Sequence, residues 1–233
     1  MNLVAPVTTA GAVAFMAWAV RGRSSSVFGT SRWRGPRDHK TIALTFDDGP
    51  SESTARILEI LDRQGVPATF FQIGANVERL PSVARAVREA GHEIGNHSHT
   101  HPLFCFRSPR FMHADLARAQ SAIQLHTGAM PFWFRAPYGV RWFGMDGVQK
   151  RIGLHAVMWT VIGYDWKLKA DEIIERMMSG VSPGAIFCLH DARELRVKPE
   201  VGETVEAVRR LVPRLLDRGY KFETLSRLLC PTT

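Results

Sequence analysis

Two carboxylates and a set of histidines carry the most legible chemistry in this chain. Asp47 and Asp48 are adjacent, and Gly49 and Pro50 turn the chain directly after them. Neighbouring side chains on an extended chain diverge, so the two aspartates cannot address one group, and two separate jobs are implied. His97 and His101 stand four apart in HSHTH, a spacing that sets both imidazoles on one side of a helical turn and suits a transition-metal ion. The pair needs a third ligand. One of the two aspartates at the end of the first strand would complete a His₂Asp set with positions left for water, the composition of a catalytic zinc site rather than a structural one. His99, between the pair, is expected to point away. Arg135, Asp165 with Trp166, and His190 are further polar positions, each closing an apolar run.

Those apolar runs define the elements that must position this chemistry. Thr41 to Phe46, Ala68 to Ile73, His92 to Ile94, Pro131 to Phe134, His155 to Ile162, Ala185 to Leu189 and Tyr220 to Phe222 read as strands. Between them lie stretches with helical spacing: Arg56 to Leu61, Ser82 to Ala90, Met112 to Leu125, Met145 to Arg151, Asp171 to Met178 and Glu203 to Leu216. The alternation predicts an α/β fold with a largely parallel sheet. With about seven units, one short of a complete (β/α)₈ barrel, the expectation is a distorted (β/α) barrel of about seven parallel strands, with an open doubly wound sheet as the alternative. Each polar cluster follows a predicted strand, and in a parallel barrel those ends converge on one face. No glycine-rich phosphate loop follows any strand, which leaves nucleotide binding without support.

Charge is unevenly spread. Of the formal +8, residues 1–40 hold +5, so the body carries only +3 and gives no electrostatic reason to expect a nucleic-acid partner. Three cysteines in irregular positions argue against a disulfide framework, and Cys188, inside an apolar run, reads as a buried small hydrophobe. Residues 2–20 contain no charge, and such a stretch approaches the ~20 residues that span a bilayer. Arg21, Arg23 and a Ser-rich segment come directly after it. The expected organisation is an apolar signal or membrane anchor over 1–22, a linker over 23–39 and a folded domain over 40–233. Positive charges lie after the apolar run rather than before it, which by the positive-inside rule favours a cytoplasmic location for the folded domain and leaves orientation open.

Taken together, TFDDGP (45–50), HSHTH (97–101), RAPYG (135–139), Asp165 with Trp166, and IFCLH ending at His190 resemble, in order and approximate spacing, the polysaccharide deacetylase family, also called the NodB homology domain or carbohydrate esterase family four. The resemblance covers roughly residues 40–226. It implies a NodB-like barrel and a metal-dependent N-deacetylase of N-acetylated sugars, with Asp48, His97 and His101 holding a divalent ion, zinc before cobalt. It further implies Asp47 as general base, His190 as the acid that protonates the departing amine, Asp165 as the carboxylate that keeps His190 charged, and Arg135 as the arginine that orients Asp47 and keeps it ionised. The backbone N–H of Tyr138 corresponds to an oxyanion donor, and Trp166 and Leu189 to walls of the acetyl pocket. Tyr138, Trp142 and Phe143 are candidates for stacking against sugar. The fourth motif departs from the family in lacking a second aspartate upstream, because Gly163 and Tyr164 precede Asp165.

The implied substrate is N-acetylglucosamine in peptidoglycan or chitin-like oligomers, acted on by an exported or membrane-anchored enzyme of the cell envelope, with membrane association through residues 2–20. Two other readings compete with it. A metal-dependent amidohydrolase of a small non-sugar amide would use the same groups but a closed pocket. A carbohydrate-binding module that has lost turnover would lack the base or the acid, yet Asp47 and His190 are both present.

Overall fold

The computed structural model describes residues 4–230, with side chains described from residue 9 onward. Its centre is strand β2 (Thr41–Asp47), flanked by β3 (Thr69–Gln72) and β8 (Ile186–His190), with the short β9 (Lys221–Phe222) against its first residues. Alternation along β2 sends Ile42, Leu44 and Phe46 outward under helices α2 (Thr54–Gln64) and α8 (Gly202–Asp217), where they join Ile57, Leu61, Val208 and Leu211 in the main apolar cluster. Ala43 belongs instead to a second cluster with Phe71, Trp133, Val157 and Ile186, into which α9 (Leu225–Leu229) inserts Leu225 and Leu228. Burial on both faces explains why β2 and β8 read as unbroken apolar runs.

Among the described residues nine strands form one all-parallel system in the order β1-β6-β5-β4-β3-β2-β8-β7, with β9 on β2. The remaining strands are β1 (Ser31–Arg32), β4 (Glu93–Asn96), β5 (Trp133–Phe134), β6 (His155–Val157) and β7 (Val161–Ile162). Three residues separate β6 from β7 in the chain, yet the two lie at opposite ends of the ring β6-β5-β4-β3-β2-β8-β7. The sheet must therefore curl to bring β6 and β7 near each other, which makes a distorted barrel of eight parallel strands with β1 on the free edge of β6 and, among the described residues, no ladder closing it onto β7. The run expected as one strand over 155–162 is broken at this opening. There Arg135, fully buried, donates from Nε to the Val157 carbonyl (3.4 Å) and from Nη2 to the Met158 carbonyl (3.2 Å). Sequence periodicity also gave no sign of α3 (Gly74–Arg79), a six-residue helix that opens on a glycine, or of the two-residue β1.

Helix α1 (Val4–Arg21) occupies the N-terminal apolar run. Among the described residues no helix is long and apolar enough to cross a membrane. Val13, Phe15, Met16 and Trp18 are exposed, while Ala19 and Val20 pack on Phe28 and Val140. The segment expected as a linker is ordered against the barrel: β1 pairs with β6, the Met158 N–H donates to the Arg32 carbonyl (2.6 Å), and the Gly35 N–H donates to the Gly184 carbonyl (2.8 Å). Arg141, only 1% exposed, fastens the turn after α1 by donating to the carbonyls of Gly22 and Ser25 and to Ser31 Oγ. Arg141→Ala leaves those acceptors without their donor. It should lower stability by about 2–4 kcal/mol in denaturant titration and open residues 21–37 to trypsin. An unchanged digestion pattern would show that Arg141 does not hold the segment.

Candidate active site

The C-terminal ends of β2, β4, β5 and β8 bring the predicted residues together. Asp47 keeps the inward direction of its strand and meets Arg135, whose Nη1 lies 2.7 Å from Asp47 Oδ1 and also donates to Thr45 Oγ1 at 2.7 Å. The guanidinium stacks over Phe71 with its centre 4.3 Å from the ring centroid, so this buried ion pair is also packed against an aromatic face. Asp48 takes a left-handed φ of 75° and turns the other way. Its Oδ2 accepts the Glu194 N–H at 2.9 Å, and Asn76 Nδ2 donates to the Asp48 and Glu194 carbonyls at 2.8 Å each, pinning the loop after β8 to the loop after β2. The adjacent aspartates thus face separate partners.

Asp48 Oδ1 lies 3.4 Å from His97 Nε2 and 3.1 Å from His101 Nε2. All three residues are buried, their ligand atoms lie within 4.8 Å of one another, and Asp48 Oδ1 accepts no conventional hydrogen bond. His97 Nδ1 sits 2.8 Å from the Arg135 carbonyl, so a proton there leaves the Nε2 lone pair facing Asp48. Burial alone would raise the Asp48 pKa, but the two imidazoles and the nearby His190 charge hold it well below the usual carboxylate range. Two imidazole nitrogens converging on the orphaned oxygen of an ionised carboxylate fit a divalent metal ion. A second convergence, Asp47 with Cys188 and His190, fits poorly: Asp47 is held by Arg135, and burial pushes the Cys188 thiol well up, away from the thiolate a metal requires.

The expected helical turn at HSHTH is absent. Residues 97–104 are irregular, with Ser98 at φ 67° and His101 at φ 53°. Side chains hold the loop in place of helical hydrogen bonds. Asn96 Oδ1 accepts the Ser98 N–H, Ser98 Oγ accepts the His101 N–H, and Asp115 accepts the His99 and Thr100 N–H groups. His99 points away from the pair, towards Glu78 at 3.7 Å.

His190 ends β8 facing inward. Its Nδ1 is 2.8 Å from Asp165 Oδ1, and Asp165 Oδ2 accepts the His190 N–H (2.9 Å) and the Thr204 hydroxyl (2.6 Å). Burial would lower the His190 pKa, but Asp165, with Asp48 and Asp47 adding to it, raises it to about 9. A pocket of about 840 Å³ opens over this cluster, walled in part by Tyr138, Trp159, Tyr164 and Trp166. Trp166 meets His190 edge-on at 5.0 Å, and the Tyr138 hydroxyl donates to Glu194 Oε1 at 2.9 Å. Leu189 does not belong to this wall. Period-two alternation sends it outward into the main core while its neighbours Cys188 and His190 face in, and it is Cys188 Sγ that contacts Asp47 Oδ2, at 3.4 Å. Trp142 and Phe143 pack with Phe28 of the segment after α1, outside the pocket.

Beyond the pocket walls Trp159 and Tyr164 and the hydroxyls of Thr45 and Thr204, three further site residues escaped sequence reasoning. Glu194 and Asn76 hold Asp48, and no motif marks either. Asp191 follows His190 directly, which was the available signal. It accepts from Thr54 Oγ1 (2.5 Å), leaves no room for a side chain at Gly49, and burial lifts its pKa to about 7.

Comparisons with known proteins point to one family. Residues 34–157 match the family model of polysaccharide deacetylase. A chitooligosaccharide deacetylase of Bradyrhizobium sp. (strain ANU 289) is 34% identical over 220 residues, 91% of this chain and 96% of that protein. The peptidoglycan-N-acetylglucosamine deacetylase PgdA of Listeria monocytogenes serotype 1/2a is 34% identical over 194 residues, 82% of this chain but only 39% of that longer protein. Among solved structures, a peptidoglycan N-acetylglucosamine deacetylase superposes with a TM-score of 0.81 at 28% identity, covering 87% of this chain and 94% of that one. A pseudoenzyme of the same carbohydrate esterase family from Bacillus anthracis superposes at 0.78 with 30% identity, covering 85% and 68%. The chain belongs to the polysaccharide deacetylase family.

The acid–carboxylate pair makes a direct prediction. With its pKa raised to about 9, the His190 ring keeps its proton through neutral pH and loses it only as pH rises through that value. Asp165→Asn removes the principal raising charge and should bring the transition down towards the ordinary histidine value of about 6.5. Imidazole NMR titration reads both, and an unshifted transition in the variant would contradict the pairing.

Proposed function

We propose that this protein is a metal-dependent hydrolase that removes acetyl groups from N-acetylglucosamine units of a peptidoglycan- or chitin-like glycan. The observation that carries the reading is the joint placement of a carboxylate and an imidazole, Asp47 and His190, with ligand atoms within 4.8 Å, beside the Asp48–His97–His101 cluster. Asp48, His97 and His101 would hold the ion, and the His₂Asp set favours zinc. Bound there, a divalent ion polarises the acetamide carbonyl and lowers the pKa of water.

The chain's own residues supply the proton transfers and the orientation. Asp47 Oδ2, free of Arg135, takes a proton as water oxygen bonds to the acetyl carbon and the carbonyl π pair moves onto oxygen. Arg135 fixes the orientation of Asp47, and the Tyr138 N–H is assigned to the developing oxyanion. When that tetrahedral species collapses, the C–N bond breaks and the sugar nitrogen takes the His190 proton, leaving acetate and a free amine. Asp165 keeps His190 charged for that step. Trp166 is assigned to the acetyl side, together with Cys188 in place of Leu189.

The half-exposed rings of Tyr138, Tyr164 and Trp166 around the pocket support a sugar polymer over a small amide, since carbohydrate faces pack on exposed aromatics. The names of the Bradyrhizobium and Listeria relatives support the same substrates and action at the cell envelope. Residues 2–20 are assigned to signal or membrane-surface attachment, supported by the exposed apolar side chains of α1.

Acetate release from N-acetylglucosamine oligomers and from peptidoglycan tests the reading. Release should vanish on chelation, return with zinc, and fall by about 10²–10⁴ in Asp47→Asn, the range expected on losing a general base. No release from either glycan by the zinc-loaded protein would overturn it.

A further inference from the structure

The catalytic pocket is not built from the barrel alone. Arg21 and Arg23, from the end of α1 and the turn after it, stand on its wall with Gly139, Trp159 and Ile162. Their backbone is fixed by buried interactions. Arg141 grips the Gly22 and Ser25 carbonyls and its N–H donates to the Val20 carbonyl (3.0 Å), while Ser25 Oγ donates to the Ala19 carbonyl (3.0 Å). Arg141 lies two residues beyond the RAPYG motif, so the loop that supplies Tyr138 also holds the arginine-bearing turn. The Arg23 guanidinium donates to the Thr160 carbonyl and lies 5.2 Å from the Trp33 ring centroid.

These cations lack acidic partners. Arg21, Arg23, Arg32, Arg34 and Arg37 occur with no acid before Asp38, whose carboxylate faces His39 at 3.4 Å. Among the described residues none of the five is in an ion pair, whereas surface arginines elsewhere are commonly paired, as in Arg63–Glu59, Arg79–Glu52 and Arg209–Glu206. Burial first, and then the neighbouring charges of Arg37 and Arg23, lower the Arg34 pKa. The glutamates on the pocket wall are engaged elsewhere. Glu203 pairs with Lys169 at 3.0 Å, Glu194 accepts from Tyr138, and Glu200 accepts the Gly202 N–H.

We propose that Arg21 and Arg23 form an anion subsite on the pocket wall, so that the preferred substrate is an N-acetylated sugar bearing a carboxylate or phosphate near its acetamido group. An anion seated there would meet two guanidiniums without acidic partners, carried on a backbone that Arg141 holds, and accept charge-assisted hydrogen bonds from them. The assignment rests on the deacetylase reading for its sugar, and on the arginine geometry for its charge.

The test uses the full zinc-loaded chain and three substrates: a neutral N-acetylglucosamine oligomer, one interleaved with lactyl-ether sugars that carry a carboxylate, and one ending in a phosphate. The wild type should favour one anionic oligomer over the neutral one by about ten-fold in kcat/KM, carried mainly by KM, and which one identifies the source of the anion. In Arg21→Gln/Arg23→Gln the preference should collapse towards unity, whereas Arg21→Lys/Arg23→Lys should retain most of it. A wild type with no anionic preference, or a Gln variant that keeps it, overturns the proposal. Should no oligomer release acetate, the deacetylase reading fails by itself. Calorimetric titration with N-acetylglucosamine 1-phosphate then decides the subsite, with about ten-fold weaker binding in the Gln variant supporting it and equal binding overturning it.

Discussion

Two buried carboxylates on consecutive residues must be kept from each other, and much of the site depends on how that is done. Removing a carboxylate from water costs several kcal/mol unless charge or hydrogen bonds replace the lost solvation. Asp47, in extended backbone, is matched by a fully buried arginine; Asp48, turned over by its left-handed φ, is matched by two imidazoles and a backbone N–H. The two surroundings differ in kind. The guanidinium clamp leaves Asp47 Oδ2 turned towards Cys188 and His190, whereas the histidine pair leaves Asp48 Oδ1 without a conventional donor. One oxygen is placed to move a proton and the other to bind a cation.

Barrel closure and site assembly share the same residue. Arg135 follows β5, crosses the interior to Thr45 and Asp47 on β2, and donates to carbonyls at the break between β6 and β7. The opening that interrupts the strand at 158–160 is thus filled by the group that orients Asp47. Trp159, within the same break, becomes pocket wall, and the Thr160 carbonyl accepts from Arg23 of the N-terminal segment.

The strands were legible in the sequence because burial on both faces makes β2 and β8 apolar throughout, and the polar residues at their ends stand out against that background. Three features depart from the sequence reading for identifiable reasons. Four-residue spacing at His97 and His101 matches a helical turn, but left-handed backbone at Ser98 and His101, fastened by Asn96, Ser98 and Asp115, reaches the same convergence from a loop. Motif position points to Leu189 as pocket wall, where strand alternation gives the inward face to Cys188. The Ser- and Gly-containing stretch after α1 has the composition of a linker, and what orders it, Arg141, lies more than a hundred residues away with no local mark. Glu194 and Asn76 were invisible for a related cause: Glu194 holds Asp48 through its backbone N–H, which any non-proline residue supplies, and Asn76 fixes two backbone carbonyls without a local motif.

The central claim is the division of labour between Asp48 and Asp47, one holding the ion and the other working beside it. Equilibrium dialysis against zinc, on the wild type, Asp48→Asn and Asp47→Asn, tests it most directly. One tightly held ion per chain is expected in the wild type and in Asp47→Asn, and its loss in Asp48→Asn. Loss of the ion from Asp47→Asn, or its retention at unchanged affinity in Asp48→Asn, would contradict it.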